Sequence, residues 1–287
     1  MFDGVFTAIV TPFHQGEIDW EALERLIEFQ IREGVHGLVP CGTTGESATL
    51  SAEEHDKVVR FTVDRAAGRV PVVAGTGSNS TTEAVERTRA ARECGADAAL
   101  VITPYYNKPT PKGMVRHFRA VAEAGLPVVA YNVPSRTAVS LDAATYRHLA
   151  EIPGVVACKE ASGDFALAEA VLSEGKLQLL SGEDSLTFPL FCLGASGVVS
   201  VISNVMPRAM VDLFDYVQEG QLPAAREEHR RMLPVMRALF TETNPIPVKA
   251  ALAEMGLMRD ELRLPLVAAG DKTKTRLRKV LKEVALV

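Results

Sequence analysis

Long apolar runs are missing from this sequence. The longest, such as Ala98–Ile102, fall far short of the roughly 20 residues that cross a bilayer, so no membrane partner is expected. Met1-Phe2-Asp3-Gly4 leads almost at once into a strand, with nothing resembling a secretory leader, and the expected location is cytoplasmic. Cysteine is sparse: Cys41, Cys94, Cys158 and Cys192 stand far apart, with no CxxC and no histidine at ligand spacing. Reduced, structural thiols are expected. The six histidines form no HxxxH or HExxH pattern, so no metal and no cofactor is expected. A surplus of positive charge is also lacking. The net charge of −5 argues against nucleic acid or another polyanion as a partner.

What the chain has is an ordinary globular composition, 47% apolar and 23% charged over 287 residues, enough for one large α/β unit. Residues 4–11 read as a first strand, ended by Pro12. Asp19 is placed to cap a helix whose Leu23, Leu26, Ile27 and Ile31 recur at helical spacing. That helix stops near Gly34. The pattern of helix, glycine and short apolar run then repeats: Gly34 precedes 36–39, Gly68 precedes 70–74, Gly95 precedes 98–102 and Gly125 precedes 127–131. Gly154 precedes 155–158, Gly175 precedes 177–180, and Gly194 precedes 197–201. A glycine just past a helix end accepts the left-handed backbone found there, and the run after it is the next strand.

Eight strands result, alternating with helical segments such as 53–67, 82–94 and 113–124. Such alternation means parallel strands with crossover helices, and eight units point to a (β/α)8 TIM barrel. The competing open doubly wound sheet is disfavoured because no GxGxxG follows the first strand. Beyond the eighth strand, 207–219, 224–242, 247–255 and 272–286 all read as helical. The expected organisation is a barrel over residues 1–205 with an all-α C-terminal extension over 206–287 packed on it.

A barrel carries its active site at the C-terminal ends of its strands. The sixth strand, Gly154-Val155-Val156-Ala157-Cys158-Lys159-Glu160, ends in a lysine after an apolar run. Burial disfavours an ammonium, and a lysine pushed toward neutrality is a nucleophile for carbonyl compounds. Two readings of Lys159 remain open: that nucleophile, or a strand-end side chain in solvent or paired with Glu160. The second strand delivers Cys41-Gly42-Thr43-Thr44-Gly45-Glu46-Ser47, whose hydroxyls and backbone N–H groups suit an anion such as a carboxylate, or simply cap a helix. The fourth strand ends in Thr103-Pro104-Tyr105-Tyr106-Asn107 and the fifth in Tyr131-Asn132-Val133-Pro134-Ser135-Arg136. Arg136 is the other cation of these loops, and its planar fork suits a carboxylate or a surface salt bridge. The last two strand ends carry no glycine-rich phosphate cradle, which points to an unphosphorylated carbonyl acid as substrate.

GTTGES at 42–47, TPYYN at 103–107, YNVPSR at 131–136, KEASGD at 159–164 and NPIPVK at 244–249 occur in order along the chain. Together they resemble the dihydrodipicolinate synthase/N-acetylneuraminate lyase family, over essentially the whole length. The resemblance implies a lyase in which Lys159 forms an imine with pyruvate, whose carboxylate sits against Thr43 and the Thr44 region. It implies Tyr131 as the central acid/base, and Thr44 and Tyr106 as the rest of a hydroxyl relay, with Tyr106 supplied across a dimer interface. Gly182 and Val199 would line the pyruvate pocket, Val199 standing where family members often carry isoleucine. Arg136 would bind the carboxylate of a second substrate, aspartate 4-semialdehyde, in diaminopimelate and lysine biosynthesis. A homotetramer, built as a dimer of dimers, is implied as well.

In lysine-sensitive relatives an inhibitor site at the dimer interface uses positions that match Ser47, Ala48, His55, Asn79, Glu83 and Tyr105. Ala52 departs from that pattern, since sensitive enzymes often have a second histidine there. A family member cleaving sialic acid or a keto-deoxy sugar acid would share Lys159, Tyr131 and the barrel. Thr43-Thr44 together with Arg136 resembles the synthase pattern instead. A catalytically inactive ligand sensor would have lost the nucleophile or the relay, and neither is lost here.

Overall fold

Asp19 accepts a hydrogen bond from the Ala22 amide at 3.0 Å and opens the first helix, Trp20–Arg32. Ser51 and Glu54 form a reciprocal capping box at the start of Ala52–Ala66. Each such cap is worth about 1 kcal/mol. The structure, a computed structural model, describes residues 2–287. Its strands are β1 Gly4–Thr7, β2 Phe13–His14, β3 Glu17–Ile18, β4 Gly37–Leu38, β5 Val73–Gly75 and β6 Ala98–Ile102. They continue with β7 Val128–Asn132, β8 Val155–Glu160, β9 Gln178–Ser181 and β10 Gly197–Ser200.

Eight of these strands form one parallel sheet in the order β4-β1-β10-β9-β8-β7-β6-β5, and a Leu38–Val72 bridge joins the two end strands. The result is the closed (β/α)8 barrel that the alternation predicts. All seven glycines read as helix ends have positive φ, between +64° and +96°. The first strand is shorter than expected: β1 leaves the sheet after Thr7, and the chain turns into the small antiparallel hairpin β2–β3. Pro12 has no N–H to continue a ladder, and Gln15 and Gly16 both take positive φ at the hairpin's tip. Nothing in the residue pattern marks β2 and β3, which are two residues each.

Two apolar layers hold the barrel. Phe6, Val39, Leu100, Val129, Tyr131, Ala157, Leu180 and Val199 belong to the cluster that fills the interior. A larger cluster, including Val5, Leu38, Cys158 and Leu179, lies between strands and helices. The period of two along a strand decides which residue goes where. In β8, Ala157 joins the inner cluster and Cys158 the outer one, so Lys159 faces inward and Glu160 outward.

The C-terminal helices are Pro207–Gln218, which packs against β1, and then Leu222–Ala238, Ile246–Glu254 and Asp271–Glu283. All four cysteines are free thiols, and burial pushes those of Cys41 and Cys158 well up. Among the described residues no helix is long and apolar enough to cross a membrane.

Candidate active site

β7 and β8 lie side by side with Tyr131 and Lys159 as register partners, so both side chains enter the barrel at the same level. The Lys159 Nζ stands 4.1 Å from the centroid of the Tyr131 ring. Both residues are buried, at 6% and 7% exposure. Glu160 does not pair with the lysine. Its carboxylate, on the outer face, accepts from Asn132 Nδ2 at 3.0 Å, the Tyr146 hydroxyl at 2.6 Å and the Ser162 amide at 2.7 Å. Strand alternation rules out both alternatives for Lys159, the solvent-facing side chain and the Glu160 pair.

Gly182, just past β9, leaves room for the lysine. A Cβ there would stand 2.6 Å from the Ala161 Cβ and 3.0 Å from the Lys159 Cε. Val199 is buried in the inner cluster with Tyr131.

The loop after β4 is folded by its own backbone. The Gly45 and Glu46 amides donate to the Gly42 and Thr43 carbonyls, and the Thr11 hydroxyl donates to the Gly45 carbonyl at 2.7 Å. Among the described residues, the Thr43 and Thr44 amides donate to no protein acceptor, which leaves two adjacent donors for an anion. Glu46 takes a left-handed conformation, φ +54°, and its carboxylate meets the Lys249 Nζ at 2.5 Å, both side chains being wholly buried. That Nζ also donates to the Thr11 carbonyl and lies over the Phe13 ring. Burial pulls the Lys249 pKa below its ordinary value, with the Glu46 carboxylate opposing.

Thr44 is 3% exposed, and its Oγ1 accepts from Asn244 Nδ2 at 2.9 Å. The Asn244 backbone carbonyl accepts from Arg136 Nη2 at 3.0 Å. One residue of the C-terminal region thus ties the loop after β4 to the loop after β7. Thr43, Glu46, Leu100, Tyr131, Arg136 and Asn244 line a common cavity of about 500 Å³. Lys159, Thr44, Gly182 and Val199 are not among the residues that line it; the Lys159 Nζ lies against the ring of Tyr131, which does. The inward lysine, the phenol against it, the paired threonines and the exposed guanidinium make a site suited to imine chemistry on a carboxylate-bearing carbonyl compound.

Tyr106 stands apart: it is 89% exposed, with φ +70°, and forms no part of the cavity wall. Ser47, Ala48, Glu83 and Tyr105 do line the cavity. His55 and Asn79 do not. The His55 ring is buried, with Nε2 2.7 Å from the Gly75 carbonyl, and the Asn79 carbonyl accepts from Asn107 Nδ2. The Glu83 carboxylate is held by Arg87 Nη2 at 2.5 Å and by the Ser78 hydroxyl. Reasoning from sequence assigned no role to Asn244 or to the Glu46–Lys249 pair. Their signals were the NPIPVK stretch and the GTTGES stretch, which lie some 200 positions apart.

The closed barrel and the relatives it matches define a class, the lyases built on a (β/α)8 fold. The chain belongs to the dihydrodipicolinate synthetase family, whose model matches residues 1–284. It is 50% identical to a 4-hydroxy-tetrahydrodipicolinate synthase of Syntrophus aciditrophicus, over 290 residues and the full length of both chains. It superposes with a TM-score of 0.98 on a dihydrodipicolinate synthase from Thermotoga maritima, at 46% identity and complete coverage of both chains. It also matches a relative from Cyanidioschyzon merolae solved with lysine bound, at 38% identity and a TM-score of 0.96, covering 100% of this chain and 99% of that one.

Proposed function

We propose that the chain condenses pyruvate with L-aspartate 4-semialdehyde, the reaction of a 4-hydroxy-tetrahydrodipicolinate synthase, through an imine on Lys159. The observation that carries this reading is the inward Lys159 at 4.1 Å over the Tyr131 ring, at the C-terminal end of a barrel strand. The amine attacks the pyruvate ketone, water leaves, and the iminium becomes an electron sink. Loss of a methyl proton gives an enamine, whose carbon attacks the aldehyde. The amino group of the second substrate then attacks the imine carbon, the bond to Lys159 breaks, and the ring closes.

A proton moves at nearly every step, which suits a site of hydroxyls. Tyr131 is the central acid/base. The Asn244 amide donates to the Thr44 oxygen, so the Thr44 proton is free to point along the relay. The pyruvate carboxylate is received by the Thr43 and Thr44 amides, and Arg136 receives the carboxylate of the aldehyde. Gly182 and Val199 shape the pyruvate pocket. Tyr106, exposed in the single chain, completes the relay of a second subunit, in a dimer that pairs into a homotetramer.

The test is to incubate the protein with pyruvate and borohydride and map the added mass, then follow pyruvate consumption with each candidate aldehyde. Reduction product on Lys159 and turnover with aspartate 4-semialdehyde are expected. Label on Lys249, or turnover only with sugar-derived aldehydes, refutes the reading.

A further inference from the structure

The polar groups of Asn244 are unequally used. Its Nδ2 donates to Thr44 Oγ1, and its backbone carbonyl accepts from Arg136. Its side-chain oxygen, in a residue only 6% exposed that lines the cavity, has no partner at all among the described residues. A buried acceptor without a donor is costly, and a donor brought in by a ligand relieves it. Of the two substrates, pyruvate offers only acceptors, a carboxylate and a ketone. The aldehyde brings the one strong donor, an ammonium group on the same carbon as its carboxylate.

We propose that Asn244 Oδ1 is the acceptor that recognises the ammonium group of the aldehyde substrate. The assignment rests on the function proposed above. An ammonium and a carboxylate on one carbon need an acceptor and a donor side by side, and Arg136 hangs on the backbone carbonyl of Asn244 itself. The two recognition groups are therefore one hydrogen-bonded unit.

A neutral amide also suits the chemistry better than a carboxylate. The ammonium must lose a proton before its nitrogen lone pair can form the bond to the imine carbon and the electron pair of the broken bond can return to the Lys159 nitrogen. A carboxylate acceptor would hold the charged form and oppose that loss, whereas an amide oxygen orients the group with a smaller shift. Asn244 is thus a binding residue for the second substrate and, through Thr44, a positioning residue for the relay.

The experiment uses the full-length protein, pyruvate and two aldehydes: aspartate 4-semialdehyde as substrate, and succinate semialdehyde, which lacks the amino group, as competing inhibitor. Asn244→Ala is expected to raise KM for the substrate about 10- to 100-fold, the usual worth of a hydrogen bond to a charged group. The inhibition constant of the analogue should move less than about threefold. Asn244→Asp, nearly isosteric, keeps an acceptor and loses the donor to Thr44. It should hold KM within about threefold of wild type while kcat falls and its pH optimum moves upward. Borohydride trapping of pyruvate on Lys159 reports that each variant keeps its site. Equal weakening of both aldehydes in Asn244→Ala, or an Asn244→Asp variant that matches Asn244→Ala, overturns the assignment. A wild-type protein that traps pyruvate but never consumes aspartate 4-semialdehyde refutes the proposed function instead.

Discussion

Lys249 and Glu46 form an ion pair from which solvent is wholly excluded, Nζ to Oε1 at 2.5 Å, joining the C-terminal helical region to the loop that carries Thr43 and Thr44. The Glu46 carboxylate also accepts from the Arg263 amide at 3.2 Å. Removing one member leaves a buried charge uncompensated, which costs on the order of 3–5 kcal/mol. Lys249→Met is therefore expected to unfold at markedly lower denaturant than wild type. Glu46→Gln combined with Lys249→Met should recover most of the loss, because two buried charges leave together. Equal destabilisation of the single and double variants would count against the pair as the source.

The position of Tyr106 carries a second expectation. Tyr106 is 89% exposed and stands off the cavity wall, so the relay proposed above requires it from a second subunit. Inactive Tyr106→Phe and inactive Lys159→Ala subunits, mixed and allowed to exchange, should regain part of the wild-type rate, because a hybrid dimer carries one intact set. Exchange proven by mass with no recovered rate would sink the shared site.

Ser47, Ala48, Glu83 and Tyr105 open onto the same cavity as Thr43 and Arg136, and a relative has been solved with lysine bound. L-Lysine is expected to inhibit moderately, with a coupling of roughly 1–3 kcal/mol between the two ligands. Glu83 is already engaged by Arg87, so an incoming ammonium must compete for that carboxylate, and inhibition should be partial. Initial rates titrated with lysine check this. Glu83→Thr should abolish the effect, and an unchanged response in that variant would exclude Glu83 from the inhibitor site.

Asp184 lies beneath the end of β10, where its carboxylate accepts from the Val201 and Ile202 amides at 3.0 and 2.8 Å. Burial raises its pKa from 3.8 to about 6. The folded state therefore holds this proton more tightly than the unfolded chain. Across the window from about pH 4 to about pH 6 the group's contribution to stability falls as pH rises. Asp184→Asn keeps an acceptor for both amides without the charge. Its stability relative to wild type should improve by on the order of 2–3 kcal/mol from the bottom of that window to the top. Denaturation curves at several pH values decide it, and a constant difference would show that Asp184 does not titrate there.

The alternation of helix, glycine and apolar run was fully legible in the residues, and so was the barrel it implies. Those features depend on near neighbours: a left-handed residue after a helix, a capping side chain, a run too apolar to face water. Lys159 was legible for the same reason, as a charged residue closing such a run. The hairpin β2–β3 was not, because two-residue strands leave no periodicity to read. The direction of Lys159 was settled only by parity along β8, which sends it to Tyr131 and Glu160 to Tyr146.

Sequence by itself determined the eight barrel strands, their order along the chain and the residue types at each strand end. Tertiary structure alone decided which buried polar groups meet. Thr44 finds Asn244 at a separation of 200 residues, and Glu46 finds Lys249 at 203. No local preference encodes those pairs. They exist because closing the barrel removes water from groups that must then satisfy one another, and the cost of leaving one unsatisfied selects the partner.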